Sequence, residues 1–462
     1  MRAPALLIGL IALAACAMPP APADLPQRLA PAAAALPPMS RFEAPALRPP
    51  QRSNAEIAHD FIELAFWLES GREIPRLSRF EGPITLRMTG QVPEGATEEL
   101  ARLLGRLRRE AGLEVLPARA DERAGITVEF RSRAEMQATV PQAACFVVPR
   151  VSSWEEFRRH RRSERLDWTT LEQREQVAVF LPHDVPRQEM RDCLQEEVAQ
   201  AMGPLNDLFR LHESVFNDDN FQTVLTGFDM LILRAYNAPE LRSGMTRQEV
   251  AARLPAILAR LNPAGERIAP RPLPPRSPRA WIEATEAALA PGISRSARRQ
   301  AADRALSIAR AEGWRDARLA FSLYLLGRLT RSSEGDLALA AFAEAGLIYA
   351  RLPGGEVHAA HVDMQMAAFA LSMGRHDDVL RLVRRAQPAA RASENAALLA
   401  SLQMVQAEAL DRLGRPDEAR VVRLDSLGWA RYGFGPDERV RARLAEIAAL
   451  APEAPRAAAA GG

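Results

Sequence analysis

The groups best placed to do chemistry lie in one short run, EEVAQAMGPLND, from Glu196 to Asp207. Glu196 and Gln200 stand four apart, so on a helix they share a face. Gly203 follows where a left-handed cap would end the helix. The returning chain would carry Asn206 and Asp207 towards that face. A carboxylate so placed can act as a general base, with Glu197 as the candidate. The oxygen donors of a second run, Asn217, Asp218, Asp219 and Asn220, suit calcium better than zinc, although their spacing fits no EF-hand loop. His183 and His212 flank the first run as candidate ligands. Without an ion, Glu196, Gln200 and Asn206 would hydrogen-bond one another and cap the helix. The second run would then form Asx-type turns.

This layout resembles the metzincin zinc peptidases, whose motif HExxHxxGxxH sets three His around one metal with Glu as general base. Glu197 and Gly203 stand at the matching Glu and Gly, while the three ligand positions hold Glu196, Gln200 and Asn206. The resemblance implies a Met-containing turn under the metal. SVFN, Ser214–Asn217, lies at that distance with Phe216 in place of the Met. It also implies a closing helix ending in Leu-Tyr, whose form TGFDMLILRAY, Thr226–Tyr236, shares. The stretch from about 53 to 260 is similar to a family of secreted bacterial proteins, domain of unknown function 2927. That family shares a core of Cys, Glu, Gln, Gly and Asn-Asp, met here between Cys193 and Asp207. Zinc prefers imidazole and thiolate, so one carboxylate and two amides imply a degenerate site with no cofactor. Asp207, Asn217 and Asp218 would line what remains of the cleft. The alternative is a metal-dependent peptidase with non-histidine ligands and Glu197 as base.

The elements around this run read as α+β. Apolar residues at helical spacing predict a helix after Ser53 or Asn54 and another over Thr97–Arg109. Ile84–Gly90, Ile126–Phe130, Ala144–Pro149 and Gln176–Pro182 read as strands. Pro186 then opens the helix that carries the acids. One mixed sheet backed by helices follows, the layout that the metzincin resemblance implies, with the motif helix packed on the sheet. Thr226 with Asp229 and Thr246 with Glu249 have the form of capping boxes, and Met245 that of a hydrophobic staple. The basic run Arg158–Arg162 reads as a solvated helix face, with anionic lipid or cell-wall polymer as the other possibility.

The N-terminus reads as an export signal: Met1-Arg2, an apolar run from Ala3 to Ala12, then Leu13-Ala14-Ala15-Cys16. The apolar run is shorter than the ~20 residues a spanning helix needs. LAAC has the form of a lipobox, which predicts cleavage after residue 15 and a lipid on Cys16. The chain would then be anchored to a membrane of the cell envelope, the outer membrane facing the periplasm. Residues 16–52, with ten prolines from Pro19 to Pro50, read as an extended tether. An exported setting permits disulfides, and Cys145 and Cys193 are the pair left once Cys16 is lipidated.

Residues 53–261 thus read as one domain and 262–279, NPAGERIAPRPLPPRSPR, as a Pro/Arg linker. From 280 to 450 the chain is rich in Ala and Leu with similar turns at Gly335-Asp336, Gly374-Arg375 and Gly414-Arg415. The repeat resembles tetratricopeptide helix pairs, especially AEALDRLGRPDEAR, but with a longer period. An all-α array of this kind commonly offers a surface to a protein or peptide. Residues 451–462 read as a disordered tail. Net charge is +2 over 462 residues, and all 60 basic residues are Arg. That balance gives no basic field for nucleic acid. The reading is a lipid-anchored binding or scaffold protein.

Overall fold

The structure, a computed structural model, describes residues 36–43, 48–119 and 122–451. The expected signal peptide, Cys16, most of the tether and the C-terminal tail beyond residue 451 lie outside the described residues.

Helix α1 (Asn54–Phe66) opens on a capping box: the Ser53 hydroxyl accepts from the Glu56 amide, and the Glu56 carboxylate accepts from the Ser53 amide. Its Ile57, Phe61 and Leu64 point into the core. Strands β1 (Ile84–Gly90), β2 (Val115–Pro117), β3 (Ile126–Arg131), β4 (Phe146–Pro149) and β5 (Val177–Pro182) form one sheet in the order β2-β1-β3-β5-β4. All pairs are parallel except β4 with β5, which is antiparallel. The centre falls to β3 and β5 because ITVEF and VAVFLP are near-continuous apolar runs that can be covered on both faces.

Helix α2 (Ala96–Arg106) crosses over from β1 and closes in a π-turn at Leu107–Ala111, so the expected single helix to Arg109 changes its winding three residues earlier. Short helices α3 (Arg133–Thr139) and α4 (Trp154–His160) cover the far end of the sheet. There Trp154 and Phe157 pack with Phe146 and Phe180 in a small second core. Arg158, Arg159, Arg161 and Arg162 are exposed. Helix α5 (Arg187–Met202) carries the acids and lies against β5, β4 and α2. A disulfide, Cys145–Cys193, ties it to the edge strand with a Cα–Cα distance of 5.9 Å. Helices α6 (Gly227–Tyr236) and α7 (Arg247–Leu261) complete the domain, each on the capping box expected at Thr226 and Thr246.

Beyond residue 278 the described chain is helical: α8 (Arg279–Leu289), α9 (Arg295–Ala311), α10 (Ala317–Leu329), α11 (Gly335–Tyr349), α12 (Glu356–Ser372), α13 (His376–Ala392), α14 (Ala396–Arg412), α15 (Pro416–Phe434) and α16 (Asp437–Ala448). Four successive helices begin at residues 356, 376, 396 and 416. The three-residue turns between them need a left-handed residue. Gly374 (φ 70°) and Gly414 (φ 72°) supply it. At the third turn Glu394 takes φ 53° without being a glycine. It is held by Arg102, 2.9 Å from its carboxylate, and by Arg191, which donates to its carbonyl at 2.9 Å. Gly335 instead starts α11.

The helical array has its own core and packs against the sheet domain through the long loop after α5. Phe209 and Phe221, from the long loop after α5, enter the aromatic cluster of Trp281, Phe321 and Tyr324. His358 on α12 meets Asp219 at 2.9 Å, and Gln188 on α5 bonds Asn395 and the Ala397 amide at the start of α14. The end of the expected tether is docked as well. The Ser40 amide donates to the Gly428 carbonyl at 3.1 Å, Arg431 donates to the Pro37 carbonyl at 2.8 Å, and the Phe42 ring lies 4.4 Å from that of Trp429. A side chain at Gly428 would strike the Ser40 hydroxyl, so that helix must be bare where the strap crosses it.

Candidate functional site

Helix α5 has few apolar residues, yet most of it is buried, and its polar side chains must therefore find partners inside the protein. Gln188 reaches α14, Arg191 pairs with Asp192 and Glu394, and Gln195 accepts from the Leu225 amide at 2.9 Å. Gln200 donates to the Asp207 carboxylate at 3.2 Å. Among the buried polar side chains of α5 only Glu197 lacks a hydrogen bond; it is 5% exposed and its Oε2 is orphaned.

Arg174 ends the helix. Its guanidinium is fully buried and donates to the carbonyls of Gln200 (2.7 Å), Ala201 (2.8 Å) and Gly203 (2.6 Å). It also contacts the Tyr236 hydroxyl at 3.2 Å and lies over the rings of Trp168 and Tyr236. These are the carbonyls that a helix leaves unsatisfied, at the negative end of its dipole. Gly203 is not in the left-handed conformation expected of it, having φ −136°. It is bare because a Cβ there would lie 2.6 Å from a Leu233 methyl.

Past that end, Asp207 comes back towards the helix and meets Glu69, from the loop after α1, and Asp218. One carboxylate oxygen from each of the three lies within 4.8 Å of the others. Glu196 and Glu197 adjoin them. Burial, then the neighbouring negative charges, holds the carboxyls of Glu196, Glu197 and Asp207 well above the usual range. The same causes push Asp218 up to about 7. Two carboxylates about 4 Å apart repel by roughly 4 kcal/mol at an effective dielectric near 20. The group therefore either keeps protons or takes up positive charge.

Several expected site residues are placed elsewhere. Asn206 turns away from α5 and donates to the Glu63 carbonyl at 2.9 Å, so it ties the loop to α1 and is not a third ligand position. Asp207, its neighbour, takes that place. Asn217 is buried and closes an Asx turn of the kind the run 217–220 suggested, bonding Asp219 and accepting from the Asp219 amide. His212 bonds the Pro353 carbonyl at 2.8 Å and stands beside His358. His183 follows β5, its amide bonded to the Arg131 carbonyl. No histidine or cysteine belongs to a potential ligand cluster among the described residues. Phe216, at the place of the expected Met, is fully buried in the main core. Sequence reasoning missed Glu69 and Arg174. Neither stands at a motif spacing from α5, so nothing local marks them.

Residues 54–256 match the family model described as a protein of unknown function, DUF2927. The match supports the kinship read from the Cys193–Asp207 core, and it runs from the first residue of α1 into α7. No curated protein and no solved structure matches the chain.

Separate from the acids, a groove of about 1790 Å³ lies between the helical array and the sheet domain, with the strap along its wall. Its lining mixes apolar side chains such as Phe342, Met366 and Trp429 with Arg52, Arg210 and Arg385. Beneath it Arg210 pairs with Asp60 and Glu63, each at 2.6 Å.

Proposed function

We propose that this protein is a lipid-anchored envelope protein, held through Cys16 in the outer membrane and facing the periplasm. Its role is to bind or scaffold, without catalysis. Its sheet domain is a metzincin-like peptidase fold emptied of zinc ligands, and its helical array is a tetratricopeptide-like module. The observation that carries this reading is the donor set at the motif positions. Gln200 is committed to Asp207, Asn206 to the Glu63 carbonyl, and Glu196 sits among acids. Such a set offers none of the imidazole or thiolate donors on which zinc sites are built. The Cys145–Cys193 disulfide agrees with an oxidising compartment. Among the described residues no helix is long and apolar enough to cross a membrane, so the anchor falls to the lipid. The loop 203–226 already covers part of the inner face of the array. The open surface for a protein or peptide partner is therefore the groove between the two modules. Cross-linking the anchored protein in its own envelope and identifying what is captured tests this. Substitution of groove residues such as Met366 should abolish the capture. Capture indifferent to the groove would refute it.

One observation favours a second reading, a metal-dependent peptidase with non-histidine ligands. Glu197, the residue at the general-base position, keeps a buried carboxylate oxygen with no hydrogen-bond partner. In that case Glu197→Gln abolishes hydrolysis with the fold intact, and a variant that keeps activity rules the reading out.

A further inference from the structure

Glu69, Asp207 and Asp218 come from three separate stretches of chain, yet their oxygens converge to within 4.8 Å. Among the described residues no basic side chain hydrogen-bonds any of the three carboxylates; Arg279 donates only to the Glu69 backbone carbonyl, at 3.0 Å. Asp207 accepts from Gln200, a neutral amide, and its Oδ1 has no partner. Behind them the Oε2 of Glu197, on a residue 95% buried, is likewise unpartnered and faces the charges of Glu69 and Asp218. Other buried acids are supplied with donors: Asp60 has Arg52 and Arg210, Glu394 has Arg102 and Arg191, and Asp229 has the Ser214 and Thr226 hydroxyls. Arg174 passes nearby but spends its donors on the end of α5.

We propose that Glu69, Asp207 and Asp218, with Glu197 behind them, hold one hard divalent cation of the calcium class. The assignment goes beyond the scaffold reading and does not depend on it. Every donor is an oxygen, which excludes the soft preference of zinc. Calcium sits about 2.3–2.6 Å from each ligand, so oxygens up to roughly 4.8 Å apart can share one ion. Magnesium, at about 2.1 Å, demands a tighter and near-octahedral set. The ion would staple the loop after α1 to the turn after α5 and to the long loop that plugs the helical array. Glu286 of α8 lies beside Asp218 but is paired with Arg279 at 3.1 Å, so the charge of the site rests on the three converging carboxylates and Glu197.

The test is calorimetric titration of the full chain, stripped with a chelator, with calcium chloride. Zinc and magnesium chloride are titrated in parallel. One calcium per chain is expected, bound at least about tenfold more weakly once a ligand charge is removed by Asp218→Asn or Asp207→Asn. Glu69→Gln should weaken binding likewise; Glu69 is exposed at the mouth, so the substitution leaves the fold intact. Glu438→Gln, on α16, should change nothing. No binding up to about 10 mM, beyond the roughly millimolar range of weak extracellular calcium modules, overturns the proposal. So does calcium binding that Glu69→Gln leaves unchanged, or a preference for zinc or magnesium.

Discussion

Replacing Arg174 by Met keeps a long side chain in the same space and removes the guanidinium donors at the end of α5. The carbonyls of Ala201 and Gly203 then lose their partner in the interior, while that of Gln200 keeps the Gly203 amide at 3.4 Å. An unsatisfied buried acceptor costs about 1–3 kcal/mol, so the gross loss is roughly 2–6 kcal/mol. Part of it returns. Arg174 has no carboxylate partner among the described residues, and burial lowers its pKa, so the substitution also relieves a desolvated charge. The net expectation is a loss of about 2–3 kcal/mol, a large effect for one substitution. Arg174→Lys should fall between the parent and Met, because one ammonium cannot span three carbonyls. Equilibrium urea denaturation followed by tryptophan fluorescence reads the difference, with Trp168 against the guanidinium as a local reporter. If Arg174→Met lies within about 1 kcal/mol of the parent, the helix end is satisfied in some other way and the reasoning fails.

Removing the disulfide by Cys145→Ala with Cys193→Ala should cost about 4 kcal/mol for a separation of 48 residues, measured as the shift in denaturation midpoint. At the turn between α13 and α14, Glu394→Gly should be more stable than Glu394→Ala by about 1 kcal/mol. Both lose the pairs with Arg102 and Arg191, but only Gly is at ease at φ 53°; equal stabilities would contradict that strain. In chelator, stability should fall as pH rises from about 4 to 7. Asp218 titrates near 3.8 unfolded and about 7 folded, so across that window the native state holds the extra proton. Thermal melts across the range check the sign, and a rise in stability over that interval would be the wrong one.

Much of the sheet domain was legible because its signals are local. ITVEF and VAVFLP read as strands and are strands, and the boxes at Thr226 and Thr246 formed as their spacing implied. Gly374 and Gly414 marked the repeat because a three-residue turn between helices needs a left-handed residue. Glu394 hid the turn between them, since its conformation depends on arginines from the other module. The site was legible along α5 and at Asp207 and Asp218, which local spacing brings near it. Glu69 and Arg174 reach it through tertiary packing that no periodicity encodes. Asn206 and Asp207 are adjacent, and which of them faces the helix is decided by the Glu63 carbonyl on α1. The strap was read as free tether from its prolines. Composition does not reveal that Gly428 leaves room for Ser40 or that Trp429 waits for Phe42.

On the proposed reading, a peptidase-shaped site has exchanged nitrogen donors for oxygen and does not hold zinc. Elemental analysis of the full chain, purified from its own envelope without chelator, tests this most directly. The account predicts zinc far below one atom per chain. One zinc per chain, lost on substitution of Glu196 or Gln200, would contradict it.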